Sequence, residues 1–225
     1  MKSAKMREVS STAVGCHIVQ LEEVTSTNDL AWQMAEEGAP EGLVVMAERQ
    51  TRGRGQQGKR WESPGGGLWL SILLRPSFSS RHAQIFALVG AIAAAEAIRV
   101  TSGLEVLIRQ PNDLILAGKK IGGILCEAKV AGKRIRHLVM GIGINVNQEK
   151  GDFSPPLVSL VTSMRHESGR IWDRRALAEA LCDRLDFWYG SLRATDSSPI
   201  FIRLGELSGG DGSEWRELRQ MLGVS

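Results

Sequence analysis

The run LILAGKKIGGILCEAKVAGKRIRHLVMGIGINV, residues 114–146, decides the fold. Three apolar stretches, 114–116, 121–130 and 135–146, are separated by Ala117-Gly118 and Ala131-Gly132. Small pairs of this kind turn a chain back on itself within two residues. Connections so short join antiparallel neighbours, because a parallel pair needs a crossover of about a dozen residues or more. The run therefore reads as consecutive antiparallel strands.

Upstream, Pro111-Asn112-Asp113 breaks an earlier strand at 104–108. Residues 85–100, rich in alanine, form the strongest helical pattern of the chain. Apolar runs at 43–47 and 68–74 are two more strands, which leaves 48–67 as a long loop between them. Loops of that length in a folded domain are either functional or unstructured. Nearer the N-terminus, Ile18, Val19 and Leu21 mark a short strand, and Thr25-Ser26-Thr27-Asn28 offers N-caps to a helix through Leu30, Ala31, Met34 and Ala35 that closes at Gly38. Downstream, residues 172–192 carry apolar side chains at helical spacing, 195–212 read as a Ser-, Gly- and Asp-rich linker, and 214–222 as a last amphipathic turn or two. The class expected is α+β, a mixed, largely antiparallel sheet packed against helices. The division expected is a polar leader at 1–15, one domain at 16–193, and at 194–225 a linker and the start of a truncated or absent further domain.

With 225 residues, 43% of them hydrophobic, the chain buries a sizeable core. A net charge of +3 and a pI near 8.9 suit an anionic small ligand at least as well as a nucleic acid, whose dedicated binders carry a denser basic stripe. Cys16, Cys126 and Cys182 are odd in number and far apart, without metal-ligand spacing or a disulfide framework. They point to a reducing, cytoplasmic setting. The first 15 residues lack a signal-peptide core, and no apolar run reaches the roughly 20 residues of a spanning helix.

Function is concentrated in the long loop. Arg49, Arg52, Arg54, Lys59 and Arg60 alternate with Gly53, Gly55 and Gly58, and no acid lies between Glu48 and Glu62. Glycines let successive N–H groups turn towards one anion, and arginine offers a planar fork for phosphate or carboxylate oxygens. A solvated basic loop is the plainer reading. Gly53 to Gly58 also matches the Gly-x-Gly-x-x-Gly dinucleotide fingerprint, but that motif needs its third glycine to open a helix. Here Lys59-Arg60-Trp61 runs on to Pro64 and three glycines, so the fingerprint is rejected. A Walker loop fails because no Gly-Lys-Ser or Gly-Lys-Thr closes the segment. Trp61 reads either as a stacking wall for a purine or as a core anchor beside the next strand.

Five segments in order, Ser26-Thr27-Asn28, the run 50–61, Pro111-Asn112-Asp113, the run 119–127 and Gly141-Ile142-Gly143-Ile144-Asn145-Val146-Asn147, together resemble biotin protein ligases. The resemblance covers residues 18–192. It implies an enzyme that joins biotin to ATP as biotinyl-5'-AMP, releases pyrophosphate, and transfers biotin to a lysine of a biotin carboxyl carrier protein. It further implies a biotin pocket of Ser26, Thr27, Asn28, Gln50, Gly53, Arg54 and Trp61, closed by Lys120 and Gly123. Arg54, Lys59, Trp61, Asp113, Gly141 and Asn145 are implied to hold ATP, with Asp113 also meeting Mg2+. Lys120 and Arg54 are the catalytic pair, a homodimer is the family expectation, and no covalent enzyme intermediate is required.

Each residue also has a plain reading: Ser26 and Thr27 as helix caps, Gln50 as a surface side chain, Lys120 as a turn lysine, Asp113 as a turn former, and Gly141 and Gly143 as a weakened strand with a bulge. Departures from the family pattern are Gln56, where many relatives carry arginine, and Arg109-Gln110 before Pro111, where lysine and tryptophan are usual. Only about 25 residues precede Ser26, so repressor activity and specific DNA binding are not expected, nor is a membrane partner. Two rivals stand beside this reading: a lipoate or octanoate ligase or transferase of the same fold, and a non-catalytic nucleic-acid-binding module.

Overall fold

The structure is a computed structural model that describes residues 5–8, 14–193, 198–209 and 215–221. In chain order its strands are β1 (Lys5–Glu8), β2 (His17–Val24), β3 (Leu43–Gln50), β4 (Leu68–Leu74), β5 (Leu107–Arg109), β6 (Asp113–Leu116), β7 (Lys119–Ala131) and β8 (Arg134–Ile144). Its helices are α1 (Thr27–Glu36), α2 (Ala83–Ser102), α3 (Met164–Ser168), α4 (Arg174–Arg193), α5 (Ser198–Ser208) and α6 (Arg216–Met221). Among the described residues the strands form one sheet in the order β1-β2-β3-β4-β8-β7-β6-β5. Only β2 and β3 run parallel; α1 supplies the crossover between them.

The hairpins expected between 114 and 146 are present. Ala117 and Gly118 both take positive φ, 48° and 76°, which is the backbone of a two-residue turn between β6 and β7. The sheet then alternates sharply between faces. On β8, Leu138, Met140, Ile142 and Ile144 enter the main core, whereas Val139 packs with α1 and the intervening Gly141 and Gly143 share its side. On β4, Leu68, Leu70, Ile72 and Leu74 face the main core, while Ser71 and Leu73 face α1. Period-two alternation of a pleated strand gives each face its own chemistry.

Helix α2 lies across the main-core face. Gly90 makes this approach close: a Cβ there would stand 2.8 Å from Met140 Sδ. Contrary to the sequence expectation, α2 is long and apolar enough to cross a membrane by length and composition, but it is the core helix of this fold and mostly buried. Buried Glu96 on α2 accepts hydrogen bonds from Trp188 Nε1 at 2.9 Å and Arg203 Nε at 2.7 Å, which ties α4 and α5 to it.

Two further sequence expectations need correction. The stretch expected as a linker contains α5, with Ile200, Phe201, Leu204 and Leu207 buried against α2 and β5. Its spacing is an apolar helical stripe that the surrounding Ser, Gly and Asp obscure; residues 194–197 and 210–214 lie outside the described part. Within the polar leader, Lys5–Glu8 pair antiparallel with β2 as an edge strand.

Candidate functional site

A cleft of about 390 Å³ opens on the α1 side of the sheet. Its floor is made by β7 and β8, one wall by the start of α1 and the end of β3, and another by the glycine-rich loop. The loop is itself a small hairpin: Trp61 N donates to Gly53 O at 2.9 Å and Gly55 N to Lys59 O at 2.7 Å. At its tip Gln57 and Gly58 both take the left-handed conformation, with φ of 57° and 72°. Gly58 thus makes a tight turn and opens no long helix.

Ser26, Thr27, Asn28, Gln50, Arg54, Lys59, Trp61, Asp113, Lys120, Gly123, Gly141 and Asn145 all line this cleft. Gly53 lies behind the wall, where a Cβ would stand 2.6 Å from Trp61 O and 2.7 Å from Ser63 Oγ. Of the other loop cations, Arg60 joins Arg54 and Lys59 in the lining, and Arg49 pairs with Glu23 at 3.6 Å.

Ser26 caps α1, its Oγ accepting from Asp29 N at 3.4 Å and from Arg54 Nη1 at 3.2 Å. Behind it runs a chain of polar contacts in a buried setting. Thr27 N donates to Gln50 Oε1 at 2.8 Å, and Gln50 Nε2 donates to Ser63 Oγ at 2.8 Å. Ser71 Oγ lies 2.7 Å from Thr27 Oγ1 and 2.5 Å from Asn28 Oδ1. A buried polar group is tolerated when such partners are present, and these partners fix the side chains that face the cavity.

The two central cations, Arg54 and Lys120, are both paired. Arg54 meets Glu127 through Nε and Nη2, the shortest contact being 2.8 Å, and Nη1 stands 2.6 Å from Asp29 Oδ1. Burial works against the Arg54 charge, but the Glu127 and Asp29 carboxylates outweigh it and hold its pKa above the usual guanidinium value. Lys120 Nζ stands 2.5 Å from Asp113 Oδ1 and 5.2 Å from the centre of the Trp61 ring. Backbone contacts with Leu160 O and Thr162 N, both at 3.0 Å, hold Lys120 in place.

The two glycines of the floor are occupied from within. A Cβ on Gly141 would stand 2.2 Å from Asn28 Oδ1, and one on Gly143 would stand 2.7 Å from Trp61 Nε1. What approaches the backbone here is the Asn28 amide and the Trp61 indole. Trp61 is therefore both lining and anchor; its Nε1 is buried and has no hydrogen-bond partner among the described residues. Asn145 is mostly a strut, its Nδ2 donating to Thr162 O at 2.9 Å.

Magnesium finds little here. Asp113 gives one oxygen to Lys120 and the other to Arg109 Nη2 at 3.0 Å, and no cluster of three acid, His or Cys side chains occurs among the described residues. A single carboxylate already shared by two cations does not fit a metal held by the protein.

Glu127, Asp29, Ser71 and Ser63 were not singled out from sequence, nor was the segment carrying Phe153, Leu157 and Val161 that completes the lining. Ser71 did leave a signal, as the one polar residue in the strand LWLSILL. Glu127 closes the 119–127 motif, but the sequence assigns its carboxylate no role of its own.

Comparison with known proteins gives consistent matches. A model described as the biotin/lipoate A/B protein ligase family matches residues 21–145. The bifunctional ligase/repressor BirA of Bacillus subtilis is 32% identical over 209 residues, covering 92% of this chain and 64% of that protein. The biotin--[acetyl-CoA-carboxylase] ligase of Paracoccus denitrificans is 29% identical over 184 residues, covering 80% of this chain and 76% of its own length. Among solved structures, biotin protein ligase from Aquifex aeolicus in complex with biotin and ATP superposes with a TM-score of 0.64 at 28% identity, covering 89% of this chain and 75% of that one. The chain thus spans a little under two thirds of the Bacillus relative it matches.

Proposed function

Because the chain belongs to the biotin/lipoate A/B protein ligase family, we propose that it is a biotin protein ligase, forming biotinyl-5'-AMP from biotin and ATP and passing biotin to a carrier lysine. One observation carries the reading: a single cleft brings the polar array of Ser26, Thr27, Asn28 and Gln50 within the same walls as Lys120, Trp61 and the Arg54 loop. A urea-like ring needs a few fixed donors and acceptors in a largely apolar slot, while a carboxylate and an α-phosphate need cations beside it.

In the first step a biotin carboxylate oxygen attacks the α-phosphorus, the bond to the β-phosphate breaks, and pyrophosphate leaves. Lys120 exchanges the Asp113 carboxylate for the reacting oxygens and stabilises the charge that gathers there. Holding both anions in one cleft supplies orientation worth about 7 to 11 kcal/mol. In the second step a neutral carrier amine attacks the acyl carbon, AMP departs, and the amine proton passes to solvent. The loop from Gly53 to Trp61 screens the mixed anhydride from water meanwhile. The natural carrier is a biotin carboxyl carrier protein, the enzyme works as a homodimer, and the setting is cytoplasmic.

The test is pyrophosphate release from ATP with biotin, lipoate and octanoate in turn, followed by mass analysis of a carrier domain. Biotin-dependent release and a gain of one biotinyl group support the reading. Release driven by lipoate or octanoate instead moves the chain to the other branch of its family. Steeply salt-dependent DNA binding without nucleotide turnover would remove the enzyme reading altogether.

A further inference from the structure

The carboxylate of Glu127 does not line the cleft, yet it touches two residues that do. It accepts a fork from Arg54, with contacts of 2.8, 3.1 and 3.2 Å, and a hydrogen bond from Asn28 Nδ2 at 2.7 Å. Glu127 stands on β7, two residues beyond Leu125 on the same face. We propose that Glu127 is a positioning residue that sets the direction of the whole polar chain behind the ligand and holds the Arg54 guanidinium in its plane. The proposal rests on the ligase reading only for the identity of the ligand.

The argument is one of hydrogen-bond polarity. An ionised carboxylate can only accept, so it turns the Asn28 amide nitrogen towards itself and leaves Oδ1 facing Ser71. Ser71 has one hydroxyl proton, and Asn28 Oδ1 at 2.5 Å takes it. The same Ser71 hydroxyl stands 2.7 Å from Thr27 Oγ1, whose own proton goes to Gln50 Oε1 at 3.1 Å. Gln50 is fixed from its own end, because Thr27 N–H demands Oε1. Once these protons are assigned, Asn28 and Gln50 each keep a second amide hydrogen, and the Ser26 hydroxyl keeps its own. All three residues line the cavity. The cleft consequently presents donors, which suits a carbonyl oxygen of an uncharged ring. Reversing the Asn28 amide would set its oxygen against Glu127 and place a donor before Ser71, inverting the array.

The glycine floor supports this geometry, since a side chain at Gly141 would occupy the space of Asn28 Oδ1. Asp29 also pairs with Arg54, so loss of the Glu127 charge leaves that cation compensated. The site therefore loses direction without gaining an unpaired charge.

The experiment compares the intact chain with Glu127→Gln and Glu127→Asp. In the unliganded protein, NMR of the Arg54 Nε–H and of the Asn28 side-chain amide reports slow exchange with water in the parent and loss of that protection in Glu127→Gln. In the pyrophosphate exchange assay the same variant raises KM for biotin about tenfold, as loss of one or two charge-assisted hydrogen bonds requires. KM for ATP rises less than KM for biotin, because Asp29 still pairs with Arg54, the melting temperature stays near the parent value, and Glu127→Asp, which keeps the charge, recovers part of the biotin effect. Unchanged protection of both groups in Glu127→Gln overturns the proposal. A parallel rise of biotin KM and ATP KM together with a fall in melting temperature does so too, because it marks a merely structural residue. A parent chain that turns over no biotin defeats the ligase reading, and the NMR comparison still decides the role of Glu127.

Discussion

Lys120 Nζ and Asp113 Oδ1 lie 2.5 Å apart, so the cation that points into the cleft already has a carboxylate before any reactant arrives. On the proposed reading, the substrate carboxylate and the nucleotide phosphate then compete with a group of like charge, and binding exchanges one ion pair for another. Lys120→Ala should lower the rate of adenylate formation about 10²–10³-fold, the usual cost of losing one electrostatic donor at a reacting centre. The fold should remain, because Lys120 is partly exposed and its backbone contacts are untouched. Single-turnover formation of biotinyl-AMP, read with a melting curve, checks both halves.

Arg54→Ala should weaken retention of the intermediate. It removes the charge facing Glu127 and Asp29 and the contact with Ser26 Oγ. Hydrogen bonds to charged groups are worth about 1.5–3 kcal/mol, so leakage of the adenylate to AMP should rise about 10- to 100-fold. Arg54→Lys should recover little, since an ammonium cannot form the bidentate fork. Rates of AMP appearance without carrier measure this directly, and unchanged leakage would refute it.

Gly141→Ala should damage both binding and stability. The new Cβ would stand 2.2 Å from Asn28 Oδ1, so the amide must move, at a cost of about 1–3 kcal/mol for overpacking. Gly151→Ala is the control, because nothing lies within 4 Å of the corresponding Cβ. Urea denaturation and biotin titration of the two variants should separate cleanly.

His137 gives a pH dependence. The ring is buried under α1, edge-on to Trp32 at 4.8 Å, with Glu36 Oε1 at 3.4 Å. Burial lowers its pKa below 6.5, Glu36 opposes that shift, and Arg75, Lys129 and Arg136 add to it. The unfolded chain therefore binds a proton more readily than the folded one. The stabilisation is present in full above about pH 6.5 and is lost as the pH falls from there through the folded value, by up to about 1.4 kcal/mol per pH unit. Urea unfolding between pH 7.5 and 5.5 should show this slope, and His137→Phe should flatten it.

Leu204→Ala tests the status of α5. The side chain is fully buried, so the substitution should cost about 2–5 kcal/mol. A surface linker would tolerate the change within about 0.5 kcal/mol, and a denaturation midpoint distinguishes the two.

These residues also show which parts of the molecule were legible in the sequence. The hairpins at Ala117-Gly118 and Gly132 were readable because a turn is a local event with its own residue chemistry. The parallel pairing of β2 with β3 had no such mark: it depends on α1 packing across both. Helix α5 was hidden because its stripe of Ile200, Phe201, Leu204 and Leu207 sits in a polar neighbourhood. Within the site, Lys120, Trp61 and Gln50 were legible by position in motifs, but their partners Asp113, Gly143 and Ser63 come from other elements. Glu127 and Ser71 were missed for the same reason, since only tertiary pairing turns a strand carboxylate and a strand hydroxyl into parts of one array.

Strand β8 writes two messages on alternate letters. Leu138, Met140, Ile142 and Ile144 determine how firmly the domain holds, while Val139, Gly141 and Gly143 determine what can rest above it. A slip by one position would exchange the two sets and put bulky aliphatics where Asn28 and Trp61 lie. Engineering for heat tolerance can therefore work on Leu138, Met140 and Ile144, which lie away from the cleft, whereas altered selectivity must be sought at Gly141 and Gly143.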